Sequence, residues 1–278
     1  MHTKKRARLI FPALALAGSV LAAGVAASVT PQALDPALAA LVASKDRDPA
    51  FVARDAARHP VEELSFFGLR PDMTVVELWP AGGYWTEILG PYLAKDGHYY
   101  VALPLTKDKE EIESVKKWRA RVAAHKEHMG TIKESLLGPG HYDFAPPGTA
   151  DLVVTFRNLH NWVGNGTADD VLKGCFRALK PGGILGIEDH RGRSDKPQDP
   201  KAESGYLRQD YTIALAKKAG FEFVGSSEIN ANPKDTKDWV DGVWTLPPTL
   251  SQGDKDRARY VAIGEADNFV LKFRKPPK

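Results

Sequence analysis

Two short segments of this chain place side chains able to move protons and hold anions directly after apolar runs. Arg157-Asn158-Leu159-His160-Asn161-Trp162 follows Asp151 to Phe156, and Asp189-His190-Arg191 follows Ile184 to Ile187. Groups that leave the end of a strand are positioned by the rigid sheet behind them, which is where binding and catalytic residues tend to collect. An imidazole titrates near neutrality, so His160 could serve as a general base, although a capping histidine would suit the same place. Asp189 and His190 could together remove a substrate proton while Arg191 binds an anionic group. An ion-pair network that fixes the loop would use the same three residues.

A third segment, Val75-Val76-Glu77-Leu78-Trp79-Pro80-Ala81-Gly82-Gly83-Tyr84-Trp85-Thr86, runs from an apolar stretch through an acid and a small-residue turn into a helical pattern. That is the layout of a nucleotide-binding strand-turn-helix unit. Glycine lets such a turn bend tightly and approach a ligand, and a carboxylate such as Glu77 accepts hydrogen bonds from a ribose or an amine. The expected binding surface is therefore Glu77 with Pro80, Ala81, Gly82, Gly83 and Tyr84. Tyr84 and Trp85 could equally fill the core behind the turn. No metal site is expected, because His59, His160 and His190 are scattered and no H-x-x-x-H or paired-cysteine spacing occurs. The G-x-S-x-G elbow of serine hydrolases is also absent.

The elements that must position these groups alternate between strand and helix. Strands are predicted at Thr74 to Leu78, Tyr99 to Leu103, Asp151 to Phe156, Ile184 to Ile187, Phe221 to Val224 and Phe269 to Phe273. Helices are predicted at Asp108 to His128, Asp169 to Leu179 and Tyr206 to Ala219, with a helix-prone stretch from Asp35 to His59 closed by Pro60. Arg54 and Arg58 there lie one helical turn apart and could share a face. The alternation implies one doubly wound α/β domain. The stretch from Asn230 to Glu265 is too long for an ordinary loop and mixes tryptophans with prolines, as in a cap over a ligand pocket or a flap that touches none.

Lys4, Lys5, Arg6 and Arg8 precede an uncharged apolar run from Leu9 to Ala27 that ends in small residues, the three-part pattern of a secretory signal peptide. The expectation is residues 1–27 as signal and 28–278 as a single exported domain, with a cap-like insertion around 228–265. In a bacterial chain that places the domain in the periplasm, without stable membrane insertion after cleavage. The whole chain has 38 basic and 35 acidic side chains; without those four basic residues the balance is 34 to 35. Nothing in that balance calls for nucleic acid, and the expected partner is a small-molecule substrate. Cys175 is the only cysteine, so no internal disulfide supports the core.

Taken together, VVELWPAGGYWTEIL, DLVVTFRNLHNW, LKPGGILGIEDHRG, AGFEFVGSSEINANPKDTKD and NFVLKF resemble the class I S-adenosylmethionine-dependent methyltransferases. RDAARHP and GVWTLPPTL extend the similarity to a group of predicted exported methyltransferases within them. The resemblance implies a Rossmann-like, seven-stranded, mostly parallel sheet with an antiparallel last strand. It implies S-adenosylmethionine lying across the first strands, Glu77 as the acid of the first motif and Gly83 as its final glycine. Arg157, Asn158 and Arg191 would face the acceptor, and His160, Asp189 and His190 would take its proton. The chain departs from the pattern at Trp79 and Ala81, which stand where glycines are usual, and at Leu103, which stands where an acid usually grips the ribose. Leucine accepts no hydrogen bond. Those departures fit an alternative, a non-catalytic periplasmic binding protein on the same fold; a hydrolase using Asp189 and His190 is a third.

Overall fold

The structure is a computed structural model, which describes residues 34–277. The expected signal segment lies outside the described residues. Among the described residues no helix is long and apolar enough to cross a membrane, and the described residues belong to one compact unit.

Apolar runs buried on both faces make the central strands. The chain opens with three short helices, α1 (Pro36–Val42), α2 (Pro49–Val52) and α3 (Asp55–Arg58). Asp35 and Asp48 cap the first two through hydrogen bonds from the backbone N–H groups of Ala37 and Ala50. The region expected to be helix-prone is helical in three short pieces, with prolines at the starts of α1 and α2. His59 adopts a left-handed conformation (φ 40°), and Pro60 opens α4 (Pro60–Phe67) rather than simply ending what precedes it.

Then follow β1 (Thr74–Leu78), α5 (Thr86–Leu93), β2 (His98–Pro104), α6 (Lys109–Ala124), α7 (Lys126–Met129), β3 (Ile132–Leu137) and β4 (Ala150–Phe156). The chain continues with α8 (Leu159–Gly164), α9 (Ala168–Ala178), β5 (Leu179–His190), α10 (Gln209–Lys218) and β6 (Glu222–Ser227). A 3₁₀ turn (Gly242–Thr245), α11 (Arg257–Ile263) and β7 (Asn268–Arg274) close it. The sheet has seven strands in the order β3-β2-β1-β4-β5-β7-β6, with β7 antiparallel to both its neighbours and the other pairings parallel. The expected seven-stranded α/β architecture is therefore present. β3 escaped the strand prediction because it is an edge strand, IKESLL, with mostly partly exposed side chains and little apolar signal. The predicted helix from Asp108 to His128 is interrupted at His125, where α6 gives way to the short α7.

Strand alternation divides the core. Val76, Leu78, Val153, Leu185, Ile187, Phe269 and Leu271 face one layer together with residues of α8 and α9. Val75, Val101, Leu152, Val154 and Val270 face the other, with residues of α1, α4 and α5. A small third core joins Val243, Leu246 and Tyr260 of the cap to Tyr206 and Ala266.

Gly186 on β5 packs directly under α4: an added Cβ would lie 2.8 Å from three ring carbons of the buried Phe67. Gly186→Ala should therefore lower stability by about 1–3 kcal/mol through overpacking. Urea unfolding monitored by tryptophan fluorescence checks this, and a variant as stable as the parent would show that α4 can move aside.

Candidate active site

Both sequence segments rich in catalytic side chains arrive at one end of the sheet. β4 runs parallel to β5, with Phe156 beside Glu188. Arg157 then turns left-handed (φ 62°), its N–H donating to the Glu188 carbonyl at 2.8 Å, and α8 begins. A left-handed arginine is uncommon, and here it lets the chain leave the sheet while its side chain turns back over the strand ends. His160 enters from α8, and Asp189 enters from the next position of β5.

Asp189 is fully buried and receives three N–H groups. The backbone N–H of His160 donates to Oδ2 at 2.9 Å, while His160 Nδ1 (2.8 Å) and the backbone N–H of His190 (2.8 Å) donate to Oδ1. Burial works against the charged carboxylate, but the charge and hydrogen bond of His160 outweigh it and hold Asp189 below its ordinary range. Because the carboxylate only accepts, Nδ1 of His160 carries a proton, and Nε2 is the ring nitrogen left without a partner among the described residues.

His190 is placed by register. It lies opposite Asn268 of β7, whose Oδ1 accepts from His190 Nδ1 at 2.7 Å. Burial, with the charges of His160 and Arg157 assisting against the opposing pull of Asp189, lowers its pKa to about 3, so it stays neutral at working pH. The two imidazole rings are 5.3 Å apart, and neither Nε2 has a hydrogen-bond partner among the described residues. The cap contributes Trp244, 6.1 Å from the His160 ring, and the segment before α10 contributes Tyr206, 6.5 Å from the His190 ring.

The three candidate catalytic residues thus converge, although sequence spacing showed the histidines as scattered. They are also the one His/Cys/Asp/Glu group among the described residues close enough to hold a metal ion. Asp189 is saturated by N–H donors, however, and the two remaining Nε2 atoms fall short of the three or four protein ligands of a typical zinc site. The geometry is that of a base and the carboxylate that orients it.

Arg157, Asn158 and Arg191, expected to face substrate, are engaged within the protein. Asn158 Nδ2 donates to the carbonyls of Leu78 and Trp79 (both 3.2 Å) and to Thr155 Oγ1, clasping the end of β4 to the β1 turn. Arg191 pairs with Glu228 at 2.6 Å and donates to the Asn268 carbonyl, as in the loop-fixing alternative. Arg157 bridges Glu188 and Glu265 inside a buried cluster that the sequence did not reveal. Arg54 forms a two-pronged contact with the same Glu265, and Asn230 Nδ2 donates to both Glu63 and Glu188. Burial and the neighbouring Glu188 charge raise Glu63 well above the ordinary carboxylate range.

The expected cofactor residues separate. Glu77 is buried within the sheet-helix layer, where Tyr99 and Thr86 both donate to its Oε2 and Trp118 Nε1 donates to Thr86. It braces the turn from behind rather than presenting an open carboxylate, because alternation along β1 directs it at α5. Burial, partly offset by those hydrogen bonds, pushes it up to about 7. Tyr84 also turns inward and donates to Asp55 at 2.6 Å. Gly82 is exposed, and Gly83 takes the left-handed conformation (φ 96°) that only glycine adopts without strain. Trp79, Pro80 and Ala81 do line a cavity of about 230 Å³, with Leu103, Pro104 and Trp118 on its walls and Glu110 and Glu111 from the first turn of α6. Those two glutamates were not singled out from the sequence, where they fall within the helix predicted at Asp108 to His128.

No family model matches the chain, and no curated protein matches it. Among solved structures it is similar to an S-adenosylmethionine-dependent methyltransferase from Aquifex aeolicus, at 16% identity and a TM-score of 0.53 over 82% of this chain and 94% of that one. It is also similar to the [4+2]-cyclase SpnF, at 14% identity and TM-score 0.54 over 84% and 86% of the two chains. A third is the Haemonchus contortus phosphoethanolamine N-methyltransferase 2 in complex with S-adenosylhomocysteine, at 15% identity and TM-score 0.52 over 87% of this chain and 61% of that one. The fold is that of the class I methyltransferases.

The raised pKa of Glu77 makes stability depend on pH. A carboxyl held near 7 in the folded chain against 4.5 otherwise contributes fully below pH 4.5, loses that contribution as pH climbs towards 7, and changes no further above it. Glu77→Gln mimics the protonated form and should gain on the wild type between pH 5 and pH 8, by on the order of 1–3 kcal/mol. Unfolding curves at the two pH values measure this; a difference independent of pH would mean Glu77 is ionised throughout.

Proposed function

We propose that this chain is an S-adenosylmethionine-dependent methyltransferase for a small-molecule acceptor, with His160 as the base that takes the acceptor's proton. The observation that carries this reading is the buried His160–Asp189 pair at the ends of β4 and β5, in a fold shared with methyltransferases. The cavity beside the β1 turn suits part of a nucleoside. Trp79, Trp118 and Leu103 offer apolar faces, and the carboxylates of Glu110 and Glu111 could accept from a ribose diol in place of the missing acid at Leu103. When bound, the cofactor supplies an electrophilic methyl group. His160 Nε2 accepts a proton from the nucleophilic atom of the acceptor, Asp189 keeps Nδ1 protonated and stabilises the imidazolium, and Trp244 limits water at the base. Positioning supplies the rest of the rate.

A second reading is favoured by one specific observation. The cavity at the turn, about 230 Å³, is smaller than the roughly 300–1,000 Å³ of typical ligand pockets, with Trp79 occupying a glycine position. That would suit a binding protein that keeps the fold without methyl transfer. Calorimetric titration of S-adenosylmethionine and S-adenosylhomocysteine separates the two: micromolar binding is expected, and no heat with a folded protein would favour the binding protein. The basic and apolar run from Lys4 to Ala27 supports export of the domain.

If His160 is the base, His160→Gln and Asp189→Asn should lower methyl transfer by about 10²–10⁴-fold while leaving S-adenosylhomocysteine affinity within about twofold. Labelled methyl incorporation into a pooled small-molecule extract measures the rate. Full activity in His160→Gln would end the assignment.

A further inference from the structure

Several polar atoms of the buried cluster beneath the cap have no hydrogen-bond partner among the described residues: Arg58 Nε and Arg157 Nη2 on the donor side, and Glu63 Oε1 and Glu188 Oε2 among the carboxyl oxygens. Arg58, on α3, is 8% exposed, yet no hydrogen bond reaches its guanidinium, and its Nε is buried without a partner. The nearest carboxylate, Glu265, lies 3.8 Å from that Nε and already receives Arg54 on both oxygens and Arg157 on one. Arg157 spends Nε and Nη1 on Glu188 and Glu265 and leaves Nη2 buried and unpaired. Asp55, the other acid on α3, is taken by both prongs of Arg47 and by the Tyr84 hydroxyl.

Three arginines, Arg54, Arg58 and Arg157, therefore share Glu188 and Glu265, while burial and then the charge of Glu188 raise the Glu63 carboxyl well above its ordinary range. Burial and then the charges of Arg157 and Arg54 pull Arg58 down to about 10, as expected for a guanidinium short of anions. An unsatisfied buried guanidinium is costly, and the face of the Tyr84 ring, 4.5 Å from Arg58 Cζ, offsets only part of that cost. Tyr84 belongs to the β1 turn and Arg157 to the end of β4, so the unspent donors lie at the switch point of the sheet, where ligands of open α/β sheets bind.

We propose that Arg58 and Arg157 form a seat for a carboxylate carried by the bound ligand, entering beside Tyr84. The planar fork of Arg58 suits two-point recognition of that group, and Arg157 Nη2 supplies a second contact. Whether the carboxylate belongs to the cofactor or to the acceptor rests on the function proposed above; the seat itself does not.

Three probes test it on the full chain: S-adenosylhomocysteine, 5′-methylthioadenosine, which keeps the nucleoside without the amino-acid carboxylate, and succinate, which has carboxylates and no nucleoside. Each is titrated into wild type, Arg58→Met and Arg58→Lys, and melting curves show that the variants are folded. If the seat holds the cofactor, Arg58→Met weakens S-adenosylhomocysteine by at least about tenfold, Arg58→Lys by less, and neither changes 5′-methylthioadenosine. If it holds the acceptor, the nucleosides ignore Arg58, and succinate raises the melting temperature of wild type but not of Arg58→Met. Wild type that responds to succinate through Arg58 and binds neither nucleoside keeps the seat and ends the methyltransferase reading. Equal weakening of both nucleosides, responses to all probes that ignore Arg58, or no response of wild type to any probe overturns the seat. Should Arg58→Met fail to fold, Arg58→Lys carries the same comparison.

Discussion

Two consecutive carboxylates, Glu188 and Asp189, are buried at the end of β5 on opposite faces of the sheet, and neither can remain there without donors brought to it. Much of the upper molecule meets that demand. On one face α8 supplies the backbone N–H and imidazole of His160 to Asp189. On the other, the left-handed turn at Arg157 and the amide of Asn230 supply Glu188. α4 adds Glu63 to that second cluster, and the end of the cap adds Glu265, so the N-terminal helices and the cap are tied to the strand ends by charge as well as by apolar packing.

The same two carboxylates separate the tasks of the two faces. Asp189 orients the His160 imidazole, whose Nε2 has no competing partner among the described residues, which suits proton removal. Glu188 lies in a cluster where Arg58 and Arg157 keep unspent guanidinium donors, which suits attraction of an anion. A sheet can hold both chemistries one residue apart because successive side chains point to opposite sides.

At the β1 turn, packing and binding are in tension. The conformations usual for glycine are held at Trp79 (φ 55°) and Ala81 (φ 48°) by side-chain-bearing residues, and the clasp from Asn158 holds the carbonyls of Leu78 and Trp79. This makes the turn rigid and narrows the space beside it. The similarity to both methyltransferases and a [4+2]-cyclase shows how little the fold alone constrains the reaction. The chemistry of such a chain is therefore set by side chains at the strand ends, here His160, Asp189 and the arginines, rather than by its topology.

The sequence by itself determined the α/β alternation, most of the strands, the turn after β1 and the two segments from which His160 and Asp189 come. These are local signals: apolar runs, prolines, glycines and acids within a few residues of one another. It did not disclose β3, whose half-exposed edge carries little apolar pattern, nor the inward course of Glu77 and Asn158, which depends on which layer each strand face meets. Only the tertiary structure decided that His160 and His190 are neighbours and that Arg54, Arg58, Glu63, Arg157, Glu188, Asn230 and Glu265 form one cluster. Arg54 and Glu265 are 211 positions apart. Partnerships over such distances are set by strand order and helix packing, and no spacing along the chain records them.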